Sequence, residues 1–239
     1  MSKAASIVQR FEFVCPFLSP CKRLGLRAVN SSTLIDPTLF VKQVKPLLEA
    51  NNPAALTAFL KANWNCQQIT DLLACPCCDA RKVAALALSL VGTKCCIEGL
   101  ASQLRDTDPF VNQMAEHALW SIWFRLGTPE ANQHVHRGTQ ALDRKEYACA
   151  ISHFDRAIEI DPKFAEAYNQ RGLAFYLTEG FENSIRDCKR TVELMPCHFG
   201  AWAGMGHCFA QQGELGEAKR CYHRALEINP HLDVRYAKR

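Results

Sequence analysis

The sequence predicts an all-α fold, a solenoid of repeated helix pairs, from three observations. Three prolines recur at intervals of 34 residues, and three glycines recur at the same interval ahead of them: Pro162, Pro196 and Pro230, and Gly138, Gly172 and Gly206. The prolines end the related phrases EIDP, ELMP and EINP. Upstream of this array, apolar residues follow the spacing of three and four that an α-helix requires. A period of about 34 residues is typical of a helix–turn–helix unit.

The charge of the chain is concentrated at its N-terminus. Residues 1–35 hold five Lys or Arg and one Glu, whereas residues 36–128 and 129–239 are each balanced. The formal net charge of +4 therefore comes from the first 35 residues. We interpret residues 1–35 as a disordered basic tail, because they show no sustained apolar period. The neutral remainder argues against nucleic acid as a partner, since such binders carry basic residues on the folded body.

Cysteine usage and hydropathy predict a cytoplasmic protein. The chain has 13 Cys, an odd number, scattered through helical patterns. Such a set would promote mispairing in an oxidising compartment, so a reducing one is the simpler setting. No run of about 18 apolar residues occurs, so we expect no transmembrane helix and no membrane partner.

Residues 36–127 are predicted to form short helices. Asp36-Pro37 and Asn52-Pro53 are typical helix starts, because proline fits the first helical turn. Asp79 and Asp108 are predicted to cap two further helices. The two aspartates are 29 residues apart, and similar apolar residues follow each of them. This segment resembles HEAT-like repeats of the short subclass also found in phycobilin lyases, although Asn112 replaces the usual arginine.

Residues 128–239 resemble three tetratricopeptide repeat (TPR) units, 131–164, 165–198 and 199–232, with a short C-terminal end. The third unit matches the pattern of large and small residues best: Trp202, Gly206, Phe209, Ala218, Tyr222, Ala225 and Pro230. In the second unit Cys188 stands where an aromatic residue is usual, and in the first unit His134 replaces a bulky one. About two residues separate the HEAT-like and TPR segments. We therefore predict one continuous right-handed α-α superhelix, HEAT-like repeats followed by three TPR units.

The TPR resemblance implies a partner-binding groove lined by the first helix of each unit. The positions concerned are Asn132, Val135, Thr139, Glu166, Asn169, Leu173, Tyr176, Ala203, His207 and Gln211, with Leu177 beside them. Chaperone-binding members of the family hold a C-terminal carboxylate with basic residues. The matching positions here carry Val135, Thr139, Gln170, Gly200 and Gly204, so the basic residues are absent. The resemblance thus predicts a scaffold or adaptor that binds a protein or peptide other than a carboxylate-terminated one.

Two other functions remain as hypotheses. The first is a HEAT-type enzyme or cofactor-handling protein that uses Cys75, Cys77, Cys78, Cys95 and Cys96, or His117, His134 and His136 with Cys149. A structural zinc site needs about four converging ligands, which adjacent Cys95 and Cys96 do not favour, so we expect no metal, no cofactor and no enzyme activity. The second is a structural oligomer, assembled through an apolar C-terminal face that only Leu232 and Tyr236 are placed to cover.

Overall fold

The computed structural model describes residues 35–234, and all regular structure in this range is helical. The predicted all-α class is confirmed, with twelve α-helices among the described residues. The predicted tail, residues 1–35, lies outside them except for its last residue. The described residues divide into two compact units, an N-terminal unit that ends at Ile122 and a C-terminal unit that begins at Trp123.

The N-terminal unit contains six helices joined by short turns. They are α1 (Pro37–Glu49), α2 (Pro53–Asn63), α3 (Cys66–Asp71), α4 (Cys78–Val91), α5 (Ile97–Gln103) and α6 (Pro109–Trp123). The last residue of α6, Trp123, already belongs to the C-terminal unit. Helix α4 is buried along most of its length, because it is rich in alanine and other small apolar residues. The first three helices pack against it. The HEAT-like assignment of this unit stays a prediction.

Most of the helix starts follow the sequence prediction. The Asp36 carboxylate accepts backbone N–H groups of α1, and the Asn52 side chain accepts one of α2. Asn65 and Gln68 form a reciprocal capping box at α3. Such caps satisfy N–H groups that have no partner within the helix.

The predicted cap at Asp79 is wrong. Helix α4 already begins at Cys78, so Asp79 lies inside the first turn. Its carboxylate approaches Lys82 one turn later, at 3.8 Å. Lys82 also forms a closer ion pair, at 2.7 Å, with Asp108. Asp108 does cap α6 as predicted, because its Oδ1 accepts the N–H of Phe110 at 2.9 Å.

The C-terminal unit contains three antiparallel helix pairs with bounds close to the predicted repeats. They are α7 (Pro129–Asp143) with α8 (Tyr147–Ile160), α9 (Ala165–Leu177) with α10 (Phe181–Leu194), and α11 (Phe199–Gln211) with α12 (Leu215–Ile228). Each pair has extensive internal contact, and α9 also lies against α7 and α11. The first helices of successive pairs are therefore neighbours, which places the predicted groove residues on one set of helices.

The repeated glycines pack against the second helix of their own pair. A Cβ atom on Gly138 would lie 2.4 Å from the ring of Phe154, and one on Gly206 would lie 2.6 Å from the ring of Tyr222. In the middle pair, a Cβ atom on Gly172 would lie 3.3 Å from the smaller Cys188 Sγ. Glycine is thus required where an aromatic ring covers the first helix, and required less in the middle pair.

Arg171 joins the first two helix pairs. Its guanidinium group binds both carboxylate oxygens of Asp187 and one of Asp155, at 2.7 Å in each case. The hydrogen bonds with Asp187, and then those with Asp155, raise the pKa of Arg171 above its usual value, although burial acts against them. A paired guanidinium fork is among the stronger polar contacts in proteins, so it fixes α8, α9 and α10 against one another.

The apolar C-terminal face, which the sequence left to Leu232 and Tyr236 to cover, is partly covered by the described residues. Leu232 and Val234 fold back onto the apolar cluster of α11 and α12, and Val234 is almost completely buried. Turn hydrogen bonds from Leu232 to Asn229 and from Val234 to Leu232 hold this segment. The outward side of α12 is polar and carries Lys219, Arg220, His223, Arg224 and Glu227. Self-association through the C-terminal end of the array stays a prediction.

Candidate partner-binding surface

The ten predicted groove residues do not all reach the surface. Gln211 is exposed, and six others are half-buried: Asn132, Thr139, Asn169, Leu173, Tyr176 and His207. Val135, Glu166 and Ala203 are buried, with exposed fractions of 1%, 1% and 7%. These three lie beneath the surface, so their assignment to the groove is corrected.

The buried Glu166 carboxylate is hydrogen-bonded to a second buried polar residue, His198. Its Oε2 lies 2.9 Å from Nε2 of His198, and neither side chain is exposed. Its Oε1 accepts the side-chain amide N–H groups of Gln170 at 2.6 Å and of Asn169 at 3.1 Å. A buried carboxylate requires such partners, since desolvation without them is costly.

His198 connects this carboxylate to the core. Its Nδ1 accepts the backbone N–H of Ala201 at 3.1 Å, which caps α11. Nδ1 therefore carries no proton, and Nε2–H is the group that donates to Glu166. On its other side the imidazole stacks on the indole of Trp123, with ring centroids 4.1 Å apart. The position of Glu166 is thus set by residues far away in sequence.

Val135 and Asn132 also have structural roles. Val135 belongs to the apolar cluster formed by the first two helix pairs. The side-chain amide of Asn132 donates to the carbonyl oxygens of Gly127 at 2.9 Å and Arg125 at 3.4 Å. It therefore holds the turn between α6 and α7. Ala203 packs in the cluster of α11 and α12.

The remaining residues form a mixed patch on α9 and α11, which we call the α9–α11 patch: Leu173, Tyr176, Leu177 and His207. The rings of Tyr176 and His207 lie 6.3 Å apart and link the two helices. Leu177 is 43% exposed, one of few large apolar side chains to be so among residues 35–234. Asn169 lies one turn before Leu173 on the same helix. The patch offers an aromatic ring, aliphatic groups and polar atoms within a small area.

His207 is oriented by a buried tyrosine of α12. Its Nδ1 is 2.8 Å from the hydroxyl of Tyr222, and the two rings meet edge to face at 5.2 Å. Burial lowers the pKa of His207 below its usual value, because desolvation disfavours the charged imidazolium. At neutral pH the side chain therefore presents a neutral imidazole to the α9–α11 patch.

The cysteines and histidines behind the enzyme hypothesis lie at separate places in the fold. Within residues 35–234, no three Cys, His, Asp or Glu side chains are placed to hold a metal ion together. Cys95 and Cys96 are close, with Sγ atoms 3.8 Å apart, but Cys96 is completely buried. His134 contacts His153 of the neighbouring helix, a pairing that the sequence reasoning missed.

Comparison with known proteins agrees with the repeat pattern. The family model described as "TPR repeat" matches residues 139–178, and the one described as "Tetratricopeptide repeat" matches residues 200–232. These segments are tetratricopeptide repeats. Together they include the α9–α11 patch, which therefore lies on TPR helices.

Curated relatives of this chain include other TPR proteins. A TPR repeat-containing protein of Rhizobium etli is 26% identical over 135 residues, which is 56% of this chain and 66% of that protein. A small glutamine-rich tetratricopeptide repeat-containing protein of Mycosarcoma maydis is 28% identical over 105 residues, 44% of this chain and 30% of that protein. The chain thus spans about two thirds of the first relative and less of the second.

Solved TPR structures also match. The first TPR of Spaghetti (RPAP3), bound to the HSP90 peptide SRMEEVD, is 24% identical, with a TM-score of 0.43 over 44% of this chain and 82% of that one.

Among the residues that the structure describes, every helix is too short or too polar to cross a membrane.

Proposed function

We propose that the TPR repeats of this chain act as a protein-interaction module, an adaptor or scaffold that binds a peptide or helix of a partner on the α9–α11 patch. The observation that carries the proposal is that Leu177 is exposed and that Leu173 and Tyr176 are half-buried beside it. Aromatic anchors flanked by apolar and polar groups contribute most of the binding energy in many protein interfaces.

The side chains around the patch are held in place before any partner arrives. Asn169 is fixed by Glu166, His207 by Tyr222, and α9 by the ion pairs of Arg171. A surface that is already ordered loses little conformational entropy when a partner binds. This supports an extended or helical segment as the ligand, because such a segment adapts to a fixed surface.

The patch does not favour an acidic ligand. The positions at which the resembled family binds carboxylates carry Val135 and Gln170, which are buried, together with Thr139 and two glycines. We infer that the partner is recognised by apolar and hydrogen-bonding contacts. We also propose a cytoplasmic location, since the eleven cysteines among the described residues are all free thiols.

The test compares two exposed leucines of the same unit. The double variant Tyr176→Ala, Leu177→Ala removes two of the four side chains of the α9–α11 patch. The control Leu215→Ala removes a leucine that is 69% exposed on α12, outside the patch. Partners captured by the wild type should be lost from the double variant and retained by Leu215→Ala, with helical circular dichroism unchanged in both. Equal capture by all three proteins would show that binding occurs elsewhere.

A further inference from the structure

Two histidines of the first repeat face each other across a helix pair. His134 on α7 and His153 on α8 have Nδ1 atoms 3.4 Å apart and ring centroids 5.6 Å apart. Both residues are half-buried, so each is partly accessible to solvent. Their nitrogen atoms converge from two helices that the fold already holds together.

This arrangement is particular to the first repeat. At the equivalent position of the second repeat, the Tyr168 hydroxyl donates to the carbonyl of Pro162 at 3.3 Å. In the third repeat, the indole of Trp202 donates to the carbonyl of Pro196 at 3.2 Å. His134 instead turns its ring nitrogen to a second histidine. The first repeat thus has two imidazole nitrogens where the others have an aromatic anchor.

The distance between the nitrogens fits metal coordination. Two imidazole nitrogens at about 2.0–2.1 Å from a tetrahedral zinc ion lie about 3.3–3.4 Å apart. The two histidines therefore meet this separation without moving the helices. The geometry points to a two-histidine site for a divalent transition-metal ion between α7 and α8, with Zn²⁺ as the probe. Imidazole suits Zn²⁺, Cu²⁺ and Ni²⁺ and disfavours Mg²⁺ or Ca²⁺, which take oxygen ligands.

Neighbouring charges set the strength of this site. Arg137 and Arg156 act on His134 as positive charges, and Glu130, one helical turn before it, acts as a negative one. Two cations against one carboxylate weaken the binding of a metal ion. Within residues 35–234 no third side chain completes a ligand set, so water molecules fill the remaining positions. We therefore expect a weak, exchangeable site that bridges two helices, independent of the partner-binding proposal.

The test follows the imidazole nitrogens directly. Chelator-treated full-length protein labelled with ¹⁵N is titrated with Zn²⁺ while the histidine ring signals are recorded by NMR. The variants are His134→Gln and His153→Gln, and the matched control is His136→Gln, an exposed residue of α7 whose Nε2 contacts Gln140. Helical circular dichroism shows that each variant is folded. The ring signals of His134 and His153 are the readout, because Zn²⁺ that binds only to thiols does not coordinate these nitrogens.

Zn²⁺ should shift two imidazole signals in the wild type and in His136→Gln. The same shifts should be absent from either ligand variant, or require at least about tenfold more Zn²⁺, since even outer-shell partners contribute roughly 10–100-fold to metal affinity. The proposal is overturned if Zn²⁺ shifts no imidazole signal in the wild type. Shifts that persist unchanged in both ligand variants would overturn it too.

Discussion

Glu166 and His198 form a hydrogen-bonded pair at 2.9 Å that is completely excluded from solvent. The carboxylate belongs to α9 and the imidazole precedes α11, so the contact joins the second and third helix pairs. Because the pair joins the first turn of α9 to the N-cap of α11, it holds together the two helices that carry the α9–α11 patch.

Replacing Glu166 by alanine should destabilise the C-terminal unit strongly. The change removes the carboxylate that accepts from the His198 N–H and from the Gln170 amide at a buried site. Removing one member of a buried pair typically costs about 3–5 kcal/mol. Urea denaturation followed by circular dichroism measures the loss. Glu182→Ala, an exposed glutamate of α10, is the control and should stay within about 0.5 kcal/mol of the wild type. Equal midpoints for the two variants would contradict the role of the pair.

Alanine at two of the repeated glycines should have different effects. At Gly138 the added methyl group would overlap the ring of Phe154, and such overpacking typically costs about 1–3 kcal/mol. At Gly172 the nearest atom is the Sγ of Cys188, 3.3 Å away. There the gain in helix propensity, about 1 kcal/mol, offsets the tighter contact. Thermal unfolding should therefore show a clear loss for Gly138→Ala and a small change for Gly172→Ala; the reverse order would refute this account.

His207 should make stability depend on pH. Its folded-state pKa lies below the usual value of 6.5, because burial disfavours the imidazolium. Between the two values the unfolded chain binds more protons, so unfolding becomes easier as the pH falls below about 6.5. Tyr176 and Tyr222 each place a ring beside His207. The free energy of unfolding, measured from pH 7.5 to 5.5, should fall more steeply for the wild type than for His207→Gln. Parallel curves would show that His207 contributes nothing to the pH dependence.

The chain should not bind the acidic peptide SRMEEVD. Gly200, Gly204 and Thr139 offer no cation at the positions where the resembled chaperone-binding domains hold a carboxylate. Fluorescence polarisation with the labelled peptide tests this, and the first TPR of Spaghetti (RPAP3), which is known in complex with that peptide, is the positive control. Saturable binding that salt weakens would contradict the expectation, because it would reveal basic contacts that this surface lacks.

The sequence predicted the helices of the C-terminal unit better than its surface. Periodic prolines and glycines determine where helices end and which faces meet, and these are local or repeated features. The burial of Glu166 depends on His198, 32 residues away, and on the ring of Trp123. No periodic pattern contains this contact. The TPR pattern therefore assigned Glu166 to the groove, whereas its contacts with His198 and Gln170 keep the side chain buried.

Two further differences have the same origin. His134 and His153 are 19 residues apart on antiparallel helices, so their contact depends on the exact register of the pair. The sequence left the C-terminal face either open or covered by Leu232 and Tyr236. In the structure Leu232 packs there, and Val234, which the sequence reasoning did not single out, packs beside it in a turn that begins at Asn229. Both features depend on contacts between side chains that are not within one helix, and such contacts are not visible in a periodic sequence pattern.

The stacking of Trp123 on His198 has a consequence for how the repeats come apart. In a simple repeat array each unit touches only its neighbours, so the ends fray independently. Here a residue that precedes the first repeat packs on the boundary of the third, next to Phe199. Separating the start of the array from the third repeat must therefore break this buried contact. Amide hydrogen exchange across the three repeats should consequently report one cooperative opening event, with similar protection at both ends of the array.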